Sequence, residues 1–323
     1  MYVPFFVRSL SGLLLLLAAQ FVFAQAETSP QSLQSLFSKM SRASQTINYQ
    51  GSFTYEIQSS AVLQGFRISH WVVDGVEHER LRYLNGAERE IIRHGQTLDC
   101  FSPGDQLLRG NLNHIGNKLI GLDDFYQFQI RYTERVADRA ATVLQVIPRD
   151  AYRHGYILSV DQETGLILKS LMIDNAGRLL ERYQFLELDL NPDVKTMESA
   201  PPAQRQHVAS TQIGDCSPTQ SGQPQNWSLT WVPPGFVFAG QQKVRESTDM
   251  LMYTDGLTTF SVFIEPVSVD PPEGAGQRGS TVVYLAKLMN DDKMHRLTVV
   301  GEIPAAAAEQ IADGVKYQGG NTR

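Results

Sequence analysis

From Tyr49 to Asp189 apolar and polar residues alternate at a period of two, in short runs separated by turn-forming pairs. Successive side chains of a strand point to opposite faces, so this alternation describes strands with one buried face. The spacing predicts strands near 49–58, 66–74, 77–84, 88–94, 96–101, 126–136, 141–148, 155–161, 166–174 and 178–189. Between them stand Asp74-Gly75, Asn85-Gly86, His94-Gly95, the stretch from Asp161 to Gly165, and that from Asp174 to Gly177. Connections this short join antiparallel neighbours and leave no room for crossover helices. A long series of hairpins with one apolar face bends into a barrel or half-barrel. Ser102 to Asp124 breaks the series and is expected to supply loops or a short helix at its mouth.

One helix precedes the strands. Thr28-Ser29-Pro30 offers a hydroxyl cap and a first-turn proline, and Leu33, Leu36, Phe37, Met40 and Ala43 follow at three-and-four spacing. Its apolar stripe is expected to cover part of the sheet. After Asn191 the periodicity stops, and residues 191–226, rich in Pro, Gln, Ser and Thr, have the composition of a linker. Order resumes at "WSLTWVPPGF". Two strand-like runs across Asp255-Gly256, the run "STVVYLAKL", a strand ending at Gly301 and a helix opened by Pro304 then make a smaller α+β unit, 227–320. The expected fold class is therefore α+β, with a large antiparallel N-terminal domain over 27–190 and a small C-terminal one.

The first residues belong to neither domain. Arg8, the apolar run from Leu10 to about Ala19 and the small residues after it form an export signal over 1–24, with a second acceptable cleavage point after residue 26. No cysteine stands at the cleavage point, and no later run has the roughly 18 apolar residues of a membrane span. Cys100 and Cys216 are the only cysteines. In an exported chain an even count favours a disulfide, which would tie the linker to the first domain and stabilise the fold by roughly 4–5 kcal/mol on the chain-entropy model; two separate thiols are the alternative.

Signals for chemistry are few. A formal net charge of −6 with no basic stripe argues against a nucleic-acid partner. GxSxG, CxxC and P-loop patterns are absent, and His78-Glu79 has no second histidine at the offset of a zinc protease. The seven histidines are scattered; His70 and His78 can meet across a hairpin, but no further ligands accompany them, so neither a metal nor another cofactor is expected. Gly274-Ala275-Gly276-Gln277-Arg278-Gly279 satisfies GxGxxG. It follows "DPPE" and leads into a strand-like run, so a flexible loop is expected there instead of a phosphate cradle. No catalytic residue is nominated.

The positive signal is aromatic. In "YQGSFTYEIQ", Tyr49, Phe53, Tyr55 and Ile57 share one face, and similar residues recur at Phe66, Ile68, Tyr126, Phe128, Ile130 and Tyr132. These side chains either pack beneath the N-terminal helix or line a hollow that a single helix leaves open, and both can hold in different places. At about 0.8 kcal/mol per buried methylene, an acyl chain of a dozen carbons would gain roughly 9 kcal/mol in such a hollow before entropy losses. The candidate lining is Phe53, Tyr55, Ile57, Phe66, Ile68, Phe128 and Ile130.

Six segments carry a family resemblance: "YQGSFTYE", "ERLRYLNGAEREIIRHG", "VIPRDAYRHGYILSVDQETGLILKSLMIDNAGRLLERYQF", "WVPPGF", "YTDGLTTFSVFIE" and "LTVVGEIP". In this order they resemble the periplasmic regulators of the RseB/MucB family, from the export signal almost to Tyr317. The resemblance implies a LolA/LolB-like half-barrel with helical cover plus a C-terminal domain. It further implies a non-catalytic protein of the periplasm that binds the periplasmic region of a single-span anti-sigma factor, RseA or MucA. Such a protein shields that region from site-1 proteolysis, restrains sigma-E-type transcription and releases its partner on meeting lipid or lipopolysaccharide. The candidate partner surface is on the C-terminal domain and the interdomain cleft, with Trp231, Phe236, Tyr253, Asp255 and Phe260; a homodimer is left open. The alternative is a periplasmic lipid or lipoprotein carrier of the LolA type, which has no need of a linker and a second domain.

Overall fold

The computed structural model describes residues 30–58, 60, 63–94, 121–199, 226–245 and 247–318. The export signal, the strand expected at 96–101, Cys100 and Cys216 lie outside the described residues.

Helix α1 (Pro30–Thr46) forms where its stripe predicts. Phe37, Met40 and Ala43 are buried, and the Phe37 ring meets Phe128 edge-on at 5.1 Å. The strands that follow are β1 (Tyr49–Ile57), β2 (Leu63–Val73), β3 (Val76–Tyr83) and β4 (Glu90–His94). After a single turn of helix, α2 (Leu122–Phe125), come β5 (Tyr126–Val136), β6 (Arg139–Pro148), β7 (Gly155–Asp161), β8 (Ile167–Ile173) and β9 (Leu179–Asp189). All nine belong to one antiparallel sheet in the order β4-β3-β2-β1-β9-β8-β7-β6-β5. Every neighbouring pair is a chain neighbour except β1 with β9, whose pairing joins the first hairpins to the last. Among the described residues the two ends of the order, β4 and β5, do not pair, so the sheet is unclosed.

Register follows the aromatic pattern. Phe53 sits opposite Phe66 on β2 and Phe185 on β9, and Tyr55 opposite Tyr183. The rings of Phe53 and Phe66 stack at 5.1 Å, Tyr183 lies 4.7 Å from Phe53, and Tyr83 lies 4.7 Å from Phe66. A one-residue slip would turn this whole set to the other face, which is what pins the pairing. His70 and His78 do not meet: they oppose Glu79 and Trp71, and their rings stack on Tyr49 and Trp71.

Beyond β9 a short helix, α3 (Val194–Ser199), interrupts the stretch expected to be linker. Asp193 explains it: its carboxylate accepts the Lys195 amide at 3.1 Å and the Thr196 hydroxyl at 2.6 Å, a side-chain cap, while Met197 is buried. The second sheet contains β11 (Val237–Arg245), β12 (Thr248–Thr254), β13 (Thr259–Pro266), β14 (Gly274–Arg278), β15 (Thr281–Asn290) and β16 (Lys293–Gly301), in the order β11-β12-β13-β16-β15-β14. Helix α4 (Ala305–Asp313) covers it, burying Ala307, Ala308 and Ile311. A two-stranded ladder of β10 (Trp227–Leu229) and β17 (Val315–Tyr317) closes the unit. The α+β class with a large antiparallel sheet and a separate C-terminal sheet agrees with the expectation. The GxGxxG stretch differs: it is the edge strand β14, paired with β15 through the turn at Gly279, not a loop. All five of its residues are exposed, so it carries no alternation by which to recognise it.

Candidate functional site at the domain seam

Three of the quoted segments meet where the two domains touch. In "RDAYRHG", Asp150 turns the chain by accepting the Tyr152 amide at 2.9 Å, and this directs Arg153 inward. The Arg153 side chain is 0% exposed. It donates Nε to Asp150 at 3.1 Å, Nη1 to Asp255 Oδ2 at 2.7 Å and Nη2 to the Pro234 carbonyl. Its guanidinium also lies 5.1–5.3 Å from the rings of Phe125, Tyr126 and Phe236. Asp255, in "YTDGL", is equally buried. Its Oδ1 accepts the amides of Leu257 and Thr258 at 2.9 and 2.8 Å, and its Oδ2 also accepts the Tyr126 hydroxyl at 2.9 Å. Burial, and then the Asp255 charge, push the Tyr126 hydroxyl well above its ordinary value, so it stays a donor.

This is an ion pair with its hydrogen-bonding capacity used, roofed by aromatic rings and shared between the domains. Removing one member of such a pair leaves the other charge buried, which costs about 3–5 kcal/mol. Glycine lets the surfaces approach: Gly235, in "WVPPGF", has φ +86, and a Cβ there would overlap the Phe125 ring. Leu257 enters the core of the first domain, and Tyr152 packs edge-on against Trp231 at 5.2 Å.

A second contact lies along the same seam. Glu181 of β9 accepts the Ser280 amide at 2.7 Å and the Ser280 hydroxyl at 2.6 Å on Oε1, and the Tyr55 hydroxyl at 2.5 Å on Oε2. Gly279 has φ +61, and a Cβ on it would overlap the Glu181 carboxylate. Burial, and then Glu181, push the Tyr55 hydroxyl up and the Glu302 carboxyl up to about 8. His154 is 2% exposed, and neither of its ring nitrogens makes a hydrogen bond. Burial lowers its pKa, although the nearby Ser280 backbone pulls the other way. Beside this contact opens a cavity of about 650 Å³ whose wall includes Gln58, His154, Arg178, Gln277 and Pro304.

The nominated residues distribute unevenly over this geometry. Asp255 and Phe236 are buried in the seam, and Trp231 lies partly buried beside them. Tyr253 and Phe260 stack on each other at 5.1 Å in the C-terminal core. Phe53, Phe66 and Ile68 are enclosed by the chain's own side chains. Tyr55, Ile57, Phe128 and Ile130 are partly buried, Tyr55 bonded at the seam and Phe128 under α1. No local spacing marks Arg153, His154, Glu181, Ser280 or Glu302: apart from Asp150, three residues before Arg153, the groups that Arg153, Glu181 and Ser280 meet across the seam are remote in sequence. Among the described residues no cluster of three or more His, Cys, Asp or Glu is placed to hold a metal.

Comparison with known proteins accounts for both halves of this arrangement. Residues 32–204 match the model of the MucB/RseB N-terminal domain, and residues 221–316 that of the MucB/RseB C-terminal domain. The chain belongs to the MucB/RseB family. It is 34% identical to the sigma factor AlgU regulatory protein MucB of Pseudomonas aeruginosa, over 95% of this chain and 97% of that one. To the sigma-E factor regulatory protein RseB of Escherichia coli it is 27% identical, over 91% and 93%. Among solved structures, MucB in complex with MucA(peri) aligns with a TM-score of 0.67 at 34% identity, covering 88% of this chain and 98% of that one. A crystal structure of MucB aligns at 0.62 and 32%, covering 90% and 99%. In this MucB/RseB chain the buried ion pair joins the two family domains, with Arg153 in the first matched segment and Asp255 in the second.

Proposed function

We propose that this MucB/RseB chain is a non-catalytic regulator exported to the periplasm, where it binds the periplasmic region of a membrane anti-sigma factor of the MucA or RseA type. While bound, it protects that region from site-1 proteolysis and so restrains sigma-E-type transcription. A lipid or lipopolysaccharide ligand taken up by the N-terminal domain releases it. The observation that carries this reading is the near full-length similarity to MucB crystallised with MucA(peri). The export signal over 1–24 supports the compartment.

The seam makes ligand-driven release physically reasonable. A ligand displaces a partner only by binding the partner-free state better, with a coupling of about 1–3 kcal/mol. Two domains meeting through a few specific contacts supply two states for it to distinguish. Contact with the partner is assigned to the C-terminal domain and the seam, with Trp231 accessible and Phe236, Tyr253, Asp255 and Phe260 shaping the surface from beneath. Contact with the ligand is assigned to the partly buried margin of Tyr55, Ile57, Phe128 and Ile130, with Phe53, Phe66 and Ile68 behind it.

The test combines the mature protein, the periplasmic segment of its anti-sigma factor and the site-1 protease, with and without lipopolysaccharide fragments. Intact segment with the protein alone, and cleavage restored by the fragments, is the expected result. Cleavage at the same rate with and without the protein overturns the reading. Transfer of bound lipid to acceptor vesicles, with no affinity for the segment, would establish a carrier instead.

A further inference from the structure

The outer face of the N-terminal sheet, behind the aromatic one, gathers three arginines. Phe66 and Ile68 of β2 and Leu81 of β3 are buried on the inner face, so Arg67 of β2 and Arg80 and Arg82 of β3 turn to the other side. Register puts Arg67 directly opposite Arg82, with Arg80 two residues along β3. Like charges in opposed positions destabilise a strand pair, so this arrangement costs the fold stability unless an anion comes between them.

The acids of the sheet answer these cations only loosely. Glu90 of β4 lies 3.5 Å from Arg80 and 3.6 Å from Arg82 through the same oxygen, Oε1, and Glu187 of β9 lies 3.6 Å from Arg67. A charge-assisted hydrogen bond is shorter, about 2.7–2.9 Å. The Arg80 side chain is 12% exposed, yet among the described residues neither its Nε nor its Nη1 makes a hydrogen bond.

The three arginines wall a cavity of about 360 Å³ that Asp189 and Asp193 also line. Its floor is a row across four strands. Asp189 of β9 stands opposite Gln50 of β1, Gln50 opposite Ser69 of β2, and Ser69 opposite Arg80 of β3. Three strand spacings separate the ends of this row, about 14 Å at the backbone. The two residues between are neutral and bonded to each other, Gln50 Nε2 donating to Ser69 Oγ at 2.8 Å. Asp189 Oδ1 accepts the Asn191 amide at 2.9 Å and Asp193 caps α3, and among the described residues neither is ion-paired with an arginine. One cavity therefore has a basic wall and an acidic wall that a neutral floor keeps apart.

We propose that this cavity binds a small zwitterion of the phosphoethanolamine type, with its phosphate among Arg67, Arg80 and Arg82 and its ammonium toward Asp189 and Asp193. A phosphate group offers three strong acceptor oxygens to the three guanidinium forks, and arginine matches that geometry. Acids on the far wall oppose a bare anion but attract the ammonium of a zwitterion, and the volume suits a small ligand. The same unit exists free and as the headgroup of a phospholipid. The site lies on the face of the sheet away from the aromatic lining, so it stands independently of the function proposed above.

The experiment is calorimetric titration of the full mature chain with O-phosphoethanolamine, with inorganic phosphate and with dihexanoyl phosphatidylethanolamine below its micelle concentration. Saturable binding of phosphoethanolamine, tighter than phosphate, is expected. Arg67→Gln and Arg82→Gln, both at partly exposed side chains, should each weaken it about tenfold to a hundredfold. Asp189→Asn should weaken phosphoethanolamine while leaving phosphate unchanged or tighter. Tighter binding of the short-chain lipid than of the free compound supports the site and names the headgroup as its ligand; equal binding supports the site and names the free molecule. No saturable binding of either up to about 10 mM overturns the proposal. Phosphate bound as tightly as phosphoethanolamine overturns it too, as does unchanged affinity in whichever arginine variant folds.

Discussion

The two contacts of the domain seam solve the same problem with different electrostatics. At Arg153 a cation and an anion from the two domains are both fully buried, and each finds several hydrogen-bonding partners. At Glu181 a single acid meets neutral donors, accepting the Ser280 amide and hydroxyl across the seam and the Tyr55 hydroxyl within its own domain. The first holds the domains through charge. The second holds them through hydrogen bonds from neutral groups to one carboxylate.

The comparison breaks most readily at Arg153. Arg153→Ala should destabilise the protein by about 3–5 kcal/mol in urea unfolding, because Asp255 loses its counter-charge in a dry site; a loss below about 1 kcal/mol would mean that water already reaches the pair. Next, Gly235→Ala requires a left-handed residue and displacement of the Phe125 ring. A loss of about 1–3 kcal/mol is expected, and a change within error would show that the surfaces have room to spare.

Substitution at the acidic contact is a matter of pH. Glu302 has its folded value raised above the unfolded one, so its contribution is present in acid and fades as pH climbs from about 4.3 to 8. Glu302→Gln should therefore be more stable than wild type by up to about 5 kcal/mol at pH 8.5 and nearly equal to it at pH 4.5. Parallel thermal melts at the two values would refute this if the difference did not change. The smallest effect belongs to an exposed pair away from the seam. Lys243→Ala, which removes the 3.0 Å contact with Asp249, should shift stability by less than about 1 kcal/mol; a larger loss would undo the contrast between surface and seam.

Most strands of the N-terminal sheet could be read from the chain. Strand β5 spans Tyr126–Val136 as the alternation predicts, and β1 ends one residue early, at Ile57. The aromatic face was legible too, although Phe53, Phe66 and Ile68 turn out to be enclosed by Tyr83, Tyr183 and Phe185. Alternation failed where it does not exist. β11 carries two register shifts, β14 is glycine-rich and exposed on both faces, and β17 is three residues long. The helix α3 was hidden because its stop-and-start signal is the single capping residue Asp193 inside linker-like sequence.

Of the candidate partner residues, Asp255 was nominated from its place in a quoted segment, yet nothing there announced that its charge would be spent on Arg153, 102 residues earlier in the chain. Glu181 and Ser280 are 99 residues apart. Taken alone, the amino-acid order established hairpins, a covering helix, a break in periodicity and a second α+β unit, since each depends on residues a few positions apart. Which acid pairs with Arg153, which one takes the Ser280 donors and which histidine is enclosed were decided only when distant strands met. Burial and charge act through space, and no linear pattern encodes that distance.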